Sequence, residues 1–188
     1  MVNENHKVCG SDEWRAHIRE EVLPWAMGNF DLGDDVLEVG PGYGATTDVL
    51  CERAARLTAV EIDPELVALL RERFAGSTGV EIVEGDATEL EFPDGRFSGA
   101  ASFTMLHHVP TSELQDRLFA EVARVLRPAG AFAVGDSLAT PEREAGHVGD
   151  IYNPVDPATV ATRLHNAGFA LAEVRVGDYG WTSIAVKR

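Results

Sequence analysis

Three glycines at alternate positions, Gly40, Gly42 and Gly44, follow directly on the apolar run Val36-Leu37-Glu38-Val39. Glycine at this density permits backbone angles, and a closeness of ligand to backbone, that a Cβ would forbid. A buried strand that turns sharply and then enters a helix is the opening of a nucleotide-binding α/β unit. Two nucleotide chemistries fit. Gly40-x-Gly42-x-x-Ala45 satisfies the dinucleotide fingerprint, and Glu61, about 20 residues on, is placed to accept from a ribose. A second nucleotide reading depends on motifs farther along the chain. The glycines alone do not separate the two, so the elements around them have to be read.

Ser11 is placed to cap a helix from Asp12, with Trp14, Ile18 and Val22 on one face until Pro24 interrupts it. After the glycine turn a helix is expected over 45–54. Leu57 to Ile62 forms a second strand. Asp63-Pro64 then starts a helix by the cap-plus-proline recipe, with Leu66, Val67, Leu69, Leu70 and Phe74 on its buried side. Val80 to Val83 is a third strand and Phe97 to Phe103 a fourth. Ser112-x-x-Gln115 matches a capping box ahead of a helix that Pro128 and Gly130 close. Ala131 to Val134 makes a fifth strand ending at Gly135-Asp136. Asp156-Pro157 opens the last helix, and two closely spaced strands, near 170–176 and 181–186, imply a hairpin and hence an antiparallel strand.

Four motifs in register resemble the class I S-adenosylmethionine-dependent methyltransferases of small-molecule type. They are Glu38-x-Gly40-x-Gly42-x-Gly44, Ala59-Val60-Glu61-Ile62-Asp63, Glu84-Gly85-Asp86-Ala87, and Arg124-Val125-Leu126-Arg127-Pro128-Ala129-Gly130. The resemblance implies a Rossmann-like α/β fold with a seven-stranded, mostly parallel sheet of order 3-2-1-4-5-7-6, strand 7 antiparallel and helices on both faces. A dinucleotide domain has six parallel strands and no place for a terminal hairpin. The implied cofactor is S-adenosyl-L-methionine, with S-adenosyl-L-homocysteine as product. In that family's terms Gly40, Gly42 and Gly44 would lie against the methionyl part and Glu38 would order its ammonium. Glu61 would accept from both ribose hydroxyls, Ile62 would lie on adenine, and Asp86 would take the exocyclic amine beside the Ala87 backbone. Phe103 would close the far side of the ring.

For catalysis the chain offers His107, just past the fourth strand, and Asp136, at the end of the fifth. Neighbouring strands of an open α/β sheet present their carboxyl ends to one crevice, so Asp136 is placed to orient His107 as a general base. Adjacent histidines do not share a helix face as i, i+4 ligands would, and no metal is expected. The first half of the chain also looks like the ribosomal adenine dimethylases. That family needs an Asn/Asp-Leu/Pro-Pro-Tyr type motif after the fourth strand, where this chain reads Ser102-Phe103-Thr104-Met105.

The 188 residues carry a net charge of −15. Such a field repels phosphate backbones, so a small-molecule substrate is favoured over nucleic acid. No apolar run is long enough to span a membrane, and the opening residues lack a signal peptide's apolar core; a cytoplasmic protein is expected. Cys9 and Cys51 are too few for a disulfide framework. The expected organisation is one methyltransferase domain over 1–188, with 1–33 a helical lid and 34–188 the cofactor-binding core. The acceptor would be held by the lid and by the stretch 137–155, where Arg143, His147 and Tyr152 are the polar candidates. A pocket so bounded is open, or completed by a second subunit of a homodimer. The competing functions are NAD(P)-linked oxidoreduction, protein methylation, and a catalytically silent cofactor-binding subunit.

Overall fold

The computed structural model describes residues 4–188. Its seven strands form one sheet in the order β3-β2-β1-β4-β5-β7-β6, where β1 is Asp35–Val39, β2 Arg56–Glu61, β3 Val80–Glu84, β4 Phe97–Phe103, β5 Leu126–Asp136, β6 Phe169–Gly177 and β7 Gly180–Lys187. The β1 to β5 neighbours pair in parallel, while β7 runs antiparallel between β5 and β6. Strands buried on both faces explain the unbroken apolar runs in the sequence.

Alternation along each strand divides the interior in two. Leu37, Val39, Ala100, Phe132 and Val134 face a cluster completed by Phe119, Val122, Leu164, Phe169 and Trp181. Their neighbours Val36, Leu57, Ala101, Phe103, Ala131 and Ala133 face a second cluster, closed by Ile18, Val22, Leu23, Ala26 and Met27 from the N-terminal helix.

That helix does not stop at Pro24. It runs as α1 (Asp12–His17), a π turn (Ile18–Val22) and α2 (Leu23–Ala26). Ser11 does cap it, accepting from the Trp14 amide at 3.1 Å. Proline removes one donor and crowds the carbonyl four residues back; here the π turn shifts the bonding frame, with the Leu23 amide donating to Ile18 O, and the chain stays helical.

Other elements differ in extent from the sequence expectation. After the glycine turn only α3 (Thr47–Leu50) is regular helix, although turn bonds continue to Ala54, whose amide donates to Leu50 O. The cap-plus-proline starts hold: Asp63 accepts from Glu65 N at the head of α4 (Pro64–Arg73). The expected capping box is absent. Thr111, one residue earlier, caps α5 (Ser112–Val125), accepting from Leu114 N, and this frees Gln115 for another use. β5 begins at Leu126 rather than Ala131; its first residues bulge, Ala129 taking a φ of 62°. The stretch 137–155 contains a short helix, α6 (Pro141–Gly146), and Asp156 caps α7 (Pro157–Asn166) by accepting from Ala158 N at 2.9 Å.

Candidate functional site

At the carboxyl end of β1 all three glycines of the turn have positive φ, 67° at Gly40, 54° at Gly42 and 82° at Gly44. Their surroundings differ. A Cβ at Gly40 would collide with the Met105 side chain, and one at Gly44 with Leu70 and Arg73, whereas one at Gly42 would meet nothing within 4 Å among the described residues. Gly42 is therefore where the turn opens onto space that a ligand can fill. Glu61, at the end of β2, is buried and organises this turn: one carboxylate oxygen accepts from Gly42 N at 3.0 Å, the other from Ile62 N at 2.9 Å and Asp63 N at 3.1 Å.

Glu38 lies below the turn, 2% exposed. Burial pushes its carboxyl up to about 8, a shift that the nearby Thr47 hydroxyl offsets in part and the Asp48 and Glu61 charges reinforce. Its Oε2 is buried with no hydrogen-bond partner among the described residues. An orphaned carboxylate oxygen in a dry pocket suits a cationic group arriving with a ligand.

Ile62 is 64% exposed at the rim. Asp86 is also exposed, its Oδ1 accepting from Thr88 N at 2.8 Å, and Ala87 borders the first cluster. Phe103 is not where the sequence placed it. It is buried in the second cluster, against the N-terminal helix, on the face of the sheet opposite Ala87. The strand's alternation dictates this, because Ala101 and Phe103 share one side. Thr104, with a φ of 55°, turns the chain, and Met105 is the residue that reaches Gly40 and borders the Ala87 face.

His107 and Asp136 meet as expected from the strand order. His107 Nδ1 lies 2.8 Å from Asp136 Oδ1, and the His107 amide donates to Asp136 Oδ2 at 2.9 Å. Ser137 N also donates to Oδ1, at 2.7 Å. Since a carboxylate only accepts, the imidazole proton belongs on Nδ1 and the lone pair on Nε2. Gln115, missed in the sequence because its spacing imitated a capping box, holds the segment in place. Its amide donates to Leu106 O at 2.9 Å and Asn153 O at 2.8 Å, while Asn153 donates from its backbone to His107 O and from Nδ2 to Val109 O.

That clamp brings in a group that local spacing could not show. His108 follows His107, and His147, from the end of α6, packs against both, with ring centroids 5.0 Å from His107 and 5.3 Å from His108. Tyr152 stacks on His147 at 4.5 Å. The N-terminal segment also approaches the turn, since a Cβ at Gly10 would press on the Tyr43 ring. Burial pushes the Cys9 thiol up, and the nearby Arg143 guanidinium pulls it the other way.

Residues 37–134 match the methyltransferase domain family. The chain belongs to the class I S-adenosylmethionine-dependent methyltransferases. The nicotinamide alternative falls with that assignment. A ribosomal RNA small subunit methyltransferase A from Geobacter sulfurreducens is 49% identical over 74 residues, which is 38% of this chain and 27% of that protein. The chain thus spans about a quarter of the length of the first curated relatives it matches. Among solved structures, a protein from Pyrococcus horikoshii superposes with a TM-score of 0.77 at 21% identity, all of both chains covered. An S-adenosylmethionine-dependent methyltransferase from Aquifex aeolicus gives 0.72 at 19%, again over the full length of both. Likeness at this identity concerns the fold, and it agrees with the methyltransferase sheet order seen here.

Proposed function

We propose that the chain methylates a small-molecule acceptor at a hydroxyl or amine, with His107 as general base and Asp136 as its orienting partner. The observation that carries this reading is the buried His107–Asp136 pair at the carboxyl ends of β4 and β5, two residues beyond the Met105 that abuts the glycine turn. The site fits the family's cofactor: Glu38 offers an orphaned buried oxygen for its ammonium, and Gly42 opens the space beside it. Glu61 would hold the ribose, Ile62 and Met105 the adenine faces, Asp86 and Ala87 its edge. When bound, the cofactor supplies a methyl group on a sulfonium.

The chain's own task is then alignment and proton removal. Orientation within a closed crevice supplies about 7–11 kcal/mol in well-aligned systems. His107 Nε2 takes the acceptor proton as the acceptor's lone pair bonds to the methyl carbon and the carbon–sulfur pair stays on sulfur. Asp136 stabilises the imidazolium. The described part of the 1–33 segment would act as a packed cover over the core at 34–188, and with 137–155 it would bound the acceptor space.

The ribosomal RNA relatives give a second reading, base methylation. Ser102-Phe103-Thr104-Met105 argues against it, since Phe103 is committed to the core and no side chain of that run matches the base-holding motif.

Thermal unfolding with S-adenosylhomocysteine tests the cofactor half. At 100 times Kd a ligand of the native state adds about 2.7 kcal/mol, or some 5–10 °C at this chain length; no shift would sink the proposal. His107→Ala should keep that shift and slow turnover of an identified acceptor by roughly 10²–10⁴-fold.

A further inference from the structure

We infer that His107, His108 and His147 form a binding site for a divalent transition-metal ion of the zinc type, beside the methyl-transfer centre. Each ring brings one nitrogen into a shared space, and the three atoms all lie within 4.8 Å of one another. A tetrahedral zinc site, with bonds of about 2.0–2.1 Å, sets its nitrogens roughly 3.4 Å apart. Closing that difference requires the rings to move together as the ion binds.

The outer partners support the same assignment. A metal-bound imidazole gives its other N–H to a carboxylate or carbonyl, which fixes its tautomer. His107 Nδ1 donates to Asp136 Oδ1, and His147 Nδ1 donates to Arg143 O at 2.6 Å. His108 Nδ1 faces Asp150 Oδ2 at 3.9 Å. In the first two rings the acceptor can only accept, so Nε2 carries the lone pair that a metal needs. The third ring has a carboxylate on its Nδ1 side as well. The hydrogen-bonded pattern holds for two rings from two separate segments, His107 after β4 and His147 at the end of α6. A fourth polar group lies alongside: Tyr152 stacks on His147, and its hydroxyl is buried with no hydrogen-bond partner among the described residues.

Three neutral imidazoles suit zinc, iron, copper or nickel, whereas magnesium and calcium prefer oxygen ligands. Three protein ligands also leave one position open. An acceptor hydroxyl bound there would lose its proton to solvent more readily. Its oxygen would then bond to the methyl carbon as the carbon–sulfur pair remains on sulfur; His107 would be a ligand while the ion is bound, and the general-base role of the proposed function belongs to the ion-free chain. This use of the site rests on the methyl-transfer reading; the binding of the ion does not.

The test is calorimetric titration of the tag-free, chelator-treated full chain with Zn²⁺, alongside Co²⁺ as an optical probe and Mg²⁺ and Ca²⁺ for comparison. Expected are one zinc per chain, a tetrahedral cobalt spectrum and no response to magnesium or calcium. His147→Ala and His108→Ala should each weaken zinc binding by about 100-fold or more. Absence of stoichiometric binding, or binding untouched by both substitutions, overturns the inference. The S-adenosylhomocysteine shift is read on the same samples. A chain that shifts but takes no zinc overturns this inference alone, and one that takes zinc but does not shift overturns the proposed function alone.

Discussion

Glu38 is the residue whose chemistry depends most on its surroundings. An unfolded chain ionises a glutamate near 4.5, whereas burial holds Glu38 protonated up to about 8. The folded state therefore binds the extra proton between those values, and Glu38 lowers the stability of the unliganded chain as pH rises from about 4.5 to about 8. A ligand ammonium beside it favours the anion, so cofactor binding at pH 7 should expel the proton. Calorimetry of S-adenosylhomocysteine in two buffers of different ionisation enthalpy should show release of about one proton per ligand, abolished by Glu38→Gln. A buffer-independent enthalpy in the native chain would separate Glu38 from the ligand. Glu61 carries a second prediction. Glu61→Ala removes the acceptor for the Gly42, Ile62 and Asp63 amides, and with it the ribose contacts proposed above. Hydrogen bonds to a charged group contribute roughly 1.5–3 kcal/mol, so affinity for S-adenosylhomocysteine should drop by about 10–100-fold; an unchanged Kd would mean the ribose is held elsewhere.

Among the elements, the segment carrying the histidines is too short to hold itself. Leu106–His108 is a single 3-10 turn, and its placement comes from α5 through Gln115 and from β5 through Asp136. Gln115 is 1% exposed. Gln115→Leu would leave the Leu106 and Asn153 carbonyls without this donor, at a cost of about 1–3 kcal/mol in denaturant unfolding. It should also lower activity, because the turn that carries His107 loses its tie to α5. A variant of full stability and activity would show that the clamp is dispensable. Arg124 has a purely architectural part. It bonds Leu90 O, Phe92 O, Asp94 and Glu121, which pins the loop leading into β4.

Across the whole molecule, the N-terminal segment is as much core as cover. Leu23 is fully buried in the same cluster as Val36, Leu57 and Phe103, and Arg175 from β6 bonds Ala26 O at 2.8 Å. Leu23→Ala should thus cost about 2–5 kcal/mol, a fall in Tm of roughly 5–15 °C. Were the segment a detachable lid, the unliganded Tm would stay put and only ligand affinity would change. Among the described residues no helix is long and apolar enough to cross a membrane.

Local chemistry in the sequence was enough to determine the glycine turn and the Asp63-Pro64 and Asp156-Pro157 helix starts, since each depends on backbone constraints within a few residues. The sheet order came from the family resemblance of four motifs in register, and with that order the meeting of His107 and Asp136 follows from the rule that neighbouring parallel strands open onto one crevice. Pro24 misled because a π turn can absorb a missing donor, and Ser112-x-x-Gln115 misled because Thr111 took the cap. Phe103 lies on the opposite face because it shares a strand side with Ala101, and the N-terminal helix that covers that side is remote in sequence. Only the tertiary structure joined His147 to His107 and His108, since the fold of the stretch after β5 sets where α6 ends. Convergence of side chains from separate segments leaves no mark in residue spacing, and at this site it decides which chemistry the histidines perform.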